Sequence, residues 1–145
     1  TDANCYVIGP GYMFLNRDDT ATIKQVVFGK NGSEAGNITT TSQTFYNSAS
    51  DYRLKENIKS LKNSLERVQQ LNPVQFDWKE SGQTSEGFIA HEVQEIFSDA
   101  VTGEKDGKDM QGVDYGRITP LLVKAIQEQQ TIIEDLKTRI KTLEG

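Results

Sequence analysis

The chain has 145 residues, 35% of them hydrophobic and 26% charged, and a formal net charge of −5 from 16 basic and 21 acidic side chains. That length allows one ordinary domain or two small ones, and that polarity excludes a large single core, favouring an elongated or oligomeric molecule that buries surface against copies of itself. One cysteine, Cys5, excludes an intrachain disulfide, no basic run marks a nucleic-acid surface, and no apolar stretch approaches the roughly 20 residues of a membrane helix.

Residues 1–49 contain one leucine, Leu15, against eight in residues 50–145, and are rich in Thr, Ser, Asn and Gly. Ala21 to Phe28 is β-branched and partly alternating, which predicts a strand. Lys30-Asn31-Gly32-Ser33 follows, and Asn-Gly signals a hairpin because both turn residues need positive φ. Asn37 to Phe45 reads as a second, Thr-rich strand. Strands of this composition bury little within one chain. They suit either a fibrous β-stalk interleaved with copies of itself or a small, loosely packed β-meander.

After residue 50 the pattern becomes mixed α and β. Leu61, Leu65, Val68 and Leu71 recur at helical spacing, with Ser60 as the expected cap and Asn72-Pro73 as the stop. Val74, Phe76 and Trp78 alternate as in a half-buried strand. Ser81 to Glu86 reads as a polar loop, Gly87 to Ala90 as a short apolar run, and His91 to Phe97 as a helical turn or two. Gly103 to Gly112 is charged and Gly-rich, hence a loop.

A long helix closes the chain. Thr119-Pro120 suits its start, since proline is tolerated in a first turn, and no further Gly or Pro occurs before Gly145. Ile126, Ile133 and Ile140 at heptad position a place Leu122, Gln129, Leu136 and Leu143 at position d. Ile132 widens this stripe, as expected where a helix meets more than one neighbour. Gln129 puts an amide inside the seam, which costs stability but fixes register. The competing reading is a single amphipathic helix folded onto its own domain.

Little catalytic chemistry is on offer. One histidine, His91, and one cysteine exclude His/Cys metal clusters and make a Ser-His-Asp triad improbable, and no phosphate-cradling glycine motif occurs. Glu86, Glu92 and Glu95 near His91 read as solvated carboxylates, and His91 as structural. What remains lies at the composition boundary, in Ser50-Asp51-Tyr52-Arg53-Leu54-Lys55-Glu56-Asn57-Ile58. A serine hydroxyl becomes a nucleophile when a base removes its proton, and a neutral lysine can be that base. Burial or nearby positive charge, for which Arg53 is the candidate, favours the neutral amine. Ser and Lys are common surface residues, so their spacing alone does not make them a pair.

From Ser50 onward the chain resembles the intramolecular chaperone domain of bacteriophage tail spikes and tail fibres, the self-cleaving endosialidase-type family called peptidase S74. The resemblance rests on Ser50 to Ile58, on Leu71-Asn72-Pro73-Val74-Gln75-Phe76-Asp77-Trp78-Lys79, on Gly87-Phe88-Ile89-Ala90-His91-Glu92-Val93, and on Val113 to Leu122 with Ala125-Ile126-Gln127-Glu128. These stretches occur in the family's order over about two-thirds of the chain.

The resemblance implies an α+β fold with a β-stalk segment, a small mixed body and a long C-terminal helix in a trimeric coiled coil. It divides the chain into the end of a stalk at 1–49 and an auto-cleaving trimerisation domain at 50–145. It assigns Ser50 as nucleophile and Lys55 as base in a single-turnover reaction in cis that depends on assembly. It implies a homotrimer acting on the upstream stalk, with no cofactor, metal, nucleic acid or membrane. Such a domain works in the host cytoplasm during virion assembly, while the upstream part joins the virion tail, so the chain is expected to be the end of a longer protein.

Ring size bears on the bond cut. The Ser50 hydroxyl reaches the Ala49 carbonyl through a five-membered ring but its own carbonyl only through a four-membered one. Ala49–Ser50 is therefore expected over Ser50–Asp51. Three alternatives stand beside self-cleavage: a trimerisation or receptor-binding tip that stays attached, a membrane-bound or regulatory protein carrying the same module, and an α+β domain whose Ser-Lys pair is accidental.

Overall fold

The computed structural model describes residues 5–9, 12–16 and 23–145. The chain divides into two compact units, Thr1–Ile58 and Lys59–Gly145. The fold is mixed α and β, with short sheets and one long helix.

The first unit is all antiparallel. Strands β1 (Cys5–Gly9) and β2 (Tyr12–Asn16) pair from Cys5↔Asn16 to Gly9↔Tyr12. Strands β3 (Ile23–Lys30), β4 (Ser33–Thr40) and β5 (Thr44–Ser48) form a meander. Ala21 and Thr22, part of the expected first strand, lie outside the described residues. The β3–β4 hairpin turns where expected: Asn31 at φ 51° and Gly32 at φ 76° give both central residues the left-handed backbone of a tight hairpin.

The strand expected from Asn37 to Phe45 is broken. Thr41-Ser42-Gln43 forms a turn, closed by a hydrogen bond from the Thr41 amide to the Gln43 carbonyl (2.9 Å). The Gln43 amide donates to Thr41 Oγ1 at 3.3 Å. A threonine hydroxyl that holds its own backbone makes a turn without Gly or Pro.

This sheet has almost no core. Val27 and Phe28 on β3 and Phe45 and Tyr46 on β5 are exposed, and among its described residues only Gly36 and Thr39 are buried. Polar bonds knit its centre: Thr39 donates to Asn37 Oδ1, and Asn47 Nδ2 donates to Asn37 Oδ1 at 2.9 Å. At Gly36 a Cβ would lie 2.5 Å from the Asn47 carbonyl oxygen, so the close approach of β4 to β5 requires glycine there.

The second unit has a small apolar core of Leu71, Val93, Ala100 and Ile118, with Phe88, Ile96, Phe97, Val101 and Val113 packed around it. Helix α1 spans Ser64–Gln70, later than the leucine spacing suggested. Ser60 does not cap it and Leu61 stays exposed; Asn63, at φ 54°, occupies the N-cap without a side-chain bond. A distant residue supplies the missing cap, since Glu128 accepts from the Leu65 amide at 2.8 Å. The helix stops at Leu71, just before Asn72-Pro73, as expected.

Strand β6 (Val74–Asp77) shows the expected alternation at Val74 and Phe76 but ends before Trp78, which is exposed, and it pairs with β7 (Thr84–Gly87), whose first three residues were expected to be loop. Thr84 to Glu86 is polar because this hairpin has an exposed face: Thr84 and Glu86 are exposed there, and Thr84 Oγ1 donates to Asp77 at 2.6 Å. Helix α2 (Ala90–Ile96) covers the expected helical turns and buries Val93. Arg67 of α1 donates to the Ile96 carbonyl at 3.2 Å and stacks over the Phe97 ring, 5.0 Å from its centroid. The loop from Gly103 is framed by β8 (Val101–Thr102) and β9 (Gly112–Val113).

Helix α3 spans Tyr115–Glu144 and begins earlier than Thr119-Pro120. Asp114 caps it by accepting from the Gly116 amide at 3.0 Å. Pro120 therefore sits inside the helix and deprives the Gly116 carbonyl of its usual donor. Burial of Ile118, Leu121 and Ala125 offsets this loss.

The reading of a helix folded onto its own domain holds for the first half, which packs onto α1 and buries Leu121 and Ala125, while the a/d seam points elsewhere, with Ile126 65% and Leu143 88% exposed. Beyond Glu128 every residue to the end is exposed.

The Glu128 cap gives a stability prediction. Glu128→Ala leaves the Leu65 amide without its acceptor and should lower the unfolding free energy by about 1 kcal/mol, read from the urea midpoint at unchanged slope.

Candidate functional site

Five extended residues would separate Ser50 from Lys55 by roughly 17 Å. The chain turns instead. Asp51 accepts from the Arg53 amide at 2.9 Å and caps a short 3₁₀ turn, Tyr52–Leu54. The Leu54 amide donates to the Asp51 carbonyl and the Lys55 amide to the Tyr52 carbonyl, both at 3.1 Å. This tight winding brings Lys55 back over the start of the segment, and its Nζ donates to Ser50 Oγ at 2.6 Å.

The residue before Ser50 is tied differently. The Ala49 amide donates to the Ala35 carbonyl at 3.0 Å, adding a rung beyond the β4–β5 ladder. The Ala49–Ser50 peptide therefore joins a residue held by the sheet to one facing a lysine amine. Both Ser50 and Lys55 are exposed.

Arg53 is engaged elsewhere than expected. Its Nε and Nη2 grip Asp51 Oδ1 and Oδ2 at 2.9 and 2.8 Å, a two-pronged fork. The guanidinium is thus committed to Asp51 rather than offered to Lys55. The Arg53 side-chain bonds hold the Asp51 carboxyl below its ordinary value, helped by the Arg53 amide and the nearby Lys55 charge, and Asp51 in turn holds Arg53 above its own.

A lowered carboxyl contributes above its unfolded value and is lost as pH falls through the lowered folded one. Asp51 should therefore titrate below 3.8 when followed by carboxyl NMR shifts, and Arg53→Gln should bring the midpoint back toward that value.

Three apolar side chains of the same segment, Tyr52, Leu54 and Ile58, stand 70 to 77% exposed. Exposed apolar groups flanking a serine-amine pair suit a surface that another chain covers. The role of Asp51 as the cap of the turn was not read from the sequence. Its signal was an Asp two residues before Arg53, the spacing of a side chain bonding back to a backbone amide.

The other sequence candidates form no second site. His91 is half-buried at the start of α2, and no hydrogen bond among the described residues involves its ring. Among the described residues no group of His, Cys, Asp and Glu could hold a metal ion, and no helix is long and apolar enough to cross a membrane.

Comparison with known proteins falls on the same segment. Residues 50–102 match the family Peptidase_S74, described as chaperone of endosialidase. The chain is 36% identical over 101 residues to the long tail fiber protein Gp37 of Enterobacteria phage M1, covering 64% of this chain and 40% of that protein. It is 36% identical over 97 residues to Gp37 of phage Ox2, covering 61% and 39%. With Gp37 of phage K3 the figures are 30% over 98 residues, 63% of this chain and 8% of that protein. The chain thus spans less than half the length of each of these relatives.

Proposed function

Because residues 50–102 belong to the chaperone-of-endosialidase family, we propose that this chain is the assembly end of a phage tail fibre, a trimerising chaperone that cuts itself free at Ser50. The observation that carries the reading is the 2.6 Å contact between Lys55 Nζ and Ser50 Oγ within the matched segment. The role in a tail fibre follows from the relatives. Three copies, the cut and its residues are our own reading.

The chemistry balances without a cofactor. A neutral Lys55 amine takes the Ser50 hydroxyl proton, and Oγ attacks the Ala49 carbonyl carbon. The five-membered adduct collapses as the C–N bond breaks, and Lys55 returns its proton to the leaving nitrogen. That step frees the Ser50 amine, and water then hydrolyses the Ala49–Ser50 ester to an Ala49 carboxylate and the Ser50 hydroxyl.

Lysine acts as a base only after losing its own proton, and burial is what favours that loss. In the single chain the pair is open to water. Assembly that covers Tyr52, Leu54 and Ile58 would dry the site, which makes the cut dependent on correct association. Neighbouring copies thus take the part first given to Arg53.

The division of labour follows. The exposed Ile/Leu seam of α3 draws three copies together. Tethering raises the effective concentration of the three upstream strands, whose long-range pairing nucleates slowly. The coreless sheet of the first unit fits a stalk completed by its neighbours. The division into stalk at 1–49 and chaperone at 50–145 places the cut between them. Release then removes the folding aid and leaves the fibre kinetically trapped. The work takes place in the host cytoplasm during virion assembly, and the stalk goes to the virion tail.

The mass of the purified chain tests this. Two fragments are expected, the later one beginning with Ser50. A fragment beginning with Asp51 would move the cut to Ser50–Asp51, and an assembled but uncut chain would make it a permanent trimerisation tip.

A further inference from the structure

Beyond Glu128, helix α3 has no cover from its own unit, so what it meets is set by its own side-chain pattern. With Ile126, Ile133 and Ile140 at a, the flanking g positions are Ala125, Ile132 and Arg139, and the e positions are Gln130, Lys137 and Glu144. Two of the three polar e side chains are engaged within the chain. Lys137 pairs with Glu134 at 3.0 Å, and Gln130 also donates to Glu134. Among the described residues Arg139 and Glu144 have no ion-pair partner.

They cannot pair with each other in one helix. Residues five apart are turned by roughly 140°, and only i,i+3 and i,i+4 side chains face each other. Arg139 and Glu144 therefore flank opposite sides of the a/d seam. Between parallel helices in register, position g of one faces position e of the next heptad of its neighbour, five residues on. Arg139 then meets Glu144 of the adjacent copy.

Other arrangements lose this match. A slip of one heptad sets Arg139 against Lys137, a like charge. It also moves Gln129 from a layer of its own kind to one facing Leu122 or Leu136. Antiparallel helices set g against g and e against e, so Arg139 never meets Glu144. We propose that Arg139 of each copy pairs with Glu144 of the next, and that this ring of charges, with the Gln129 layer, makes the helices assemble parallel and in register. The proposal rests on the self-association put forward above and adds what sets its direction.

Arg139→Glu and Glu144→Arg each place like charges at every interface. Each should weaken association on the order of tenfold at low ionic strength, less in high salt. The double variant R139E/E144R restores opposite charges and should return association to near the wild-type value. A second readout uses Leu136→Cys with Cys5→Ser, so that one thiol remains. Parallel copies in register cross-link on oxidation, whereas antiparallel copies centred on Gln129 hold these thiols about 21 Å apart along the axis. A double variant no tighter than its parents, or an associated species that fails to cross-link, overturns the proposal and leaves self-association standing. A wild-type chain that stays monomeric at every concentration in light scattering overturns both.

Discussion

Ser50→Ala should leave a single uncut band on a denaturing gel where the wild-type chain is expected to give two. The replacement removes the oxygen that attacks, and no other hydroxyl is placed to reach the Ala49 carbonyl through a five-membered ring. Loss should be complete on the time scale of purification, since removing a nucleophile outright typically costs orders of magnitude in rate.

Lys55→Arg sharpens the test. Arginine keeps the charge and donors that could hold Ser50 Oγ, but its guanidinium is not deprotonated in proteins. If Lys55 is the base, Lys55→Arg is as dead as Ser50→Ala. If it only orients Ser50, Lys55→Arg keeps much of the cut.

Leu136→Asp should give a monomer by light scattering at concentrations where the wild-type chain is associated. Each buried leucine contributes roughly 1.5–3 kcal/mol, and a carboxylate in the same layer adds a desolvation cost in every copy. The body of the second unit should survive, because Leu71, Val93, Ala100 and Ile118 lie in a core the substitution does not touch. Helical circular dichroism should fall nonetheless, since the residues past Glu128 are all exposed in the single chain and lose the partner packing that supplies most helical stability. The same variant should stay uncut, as its Lys55 remains in water. A Leu136→Asp monomer that cuts itself at the wild-type rate would detach the chemistry from assembly.

The elements with strong local chemistry were legible from the residues. Asn31-Gly32 named its turn, Val74 and Phe76 named a strand, and the Ile and Leu spacing named the outer face of α3. Where reading failed, a distant partner or a bonded side chain decided. α1 starts at Ser64, several residues past the expected Ser60 cap, because its cap is Glu128, on another helix. α3 starts at Tyr115 because Asp114 caps it and Ile118 is buried, and that outweighs the proline that looked like a start. The Thr-rich strand broke at Thr41 because a hydroxyl closed the turn. The candidate site was least legible of all. Ser50 and Lys55 stood out by resemblance to a family, while their spacing alone was worth little. The turn that joins them depends on Asp51, and the Arg53 charge expected beside Lys55 is held by that same carboxylate.

The Ala49 rung bears on the product as well as on the reaction. A cut after Ala49 creates a new chain end whose last amide is bonded to the Ala35 carbonyl. That end would be flush with the sheet, with no loose tail for a carboxypeptidase to start on. A cut after Ser50 would instead leave one residue beyond the ladder, open to trimming. Carboxypeptidase digestion of the assembled product therefore distinguishes the two by what it removes: nothing from a chain ending at Ala49, and a serine from one ending at Ser50.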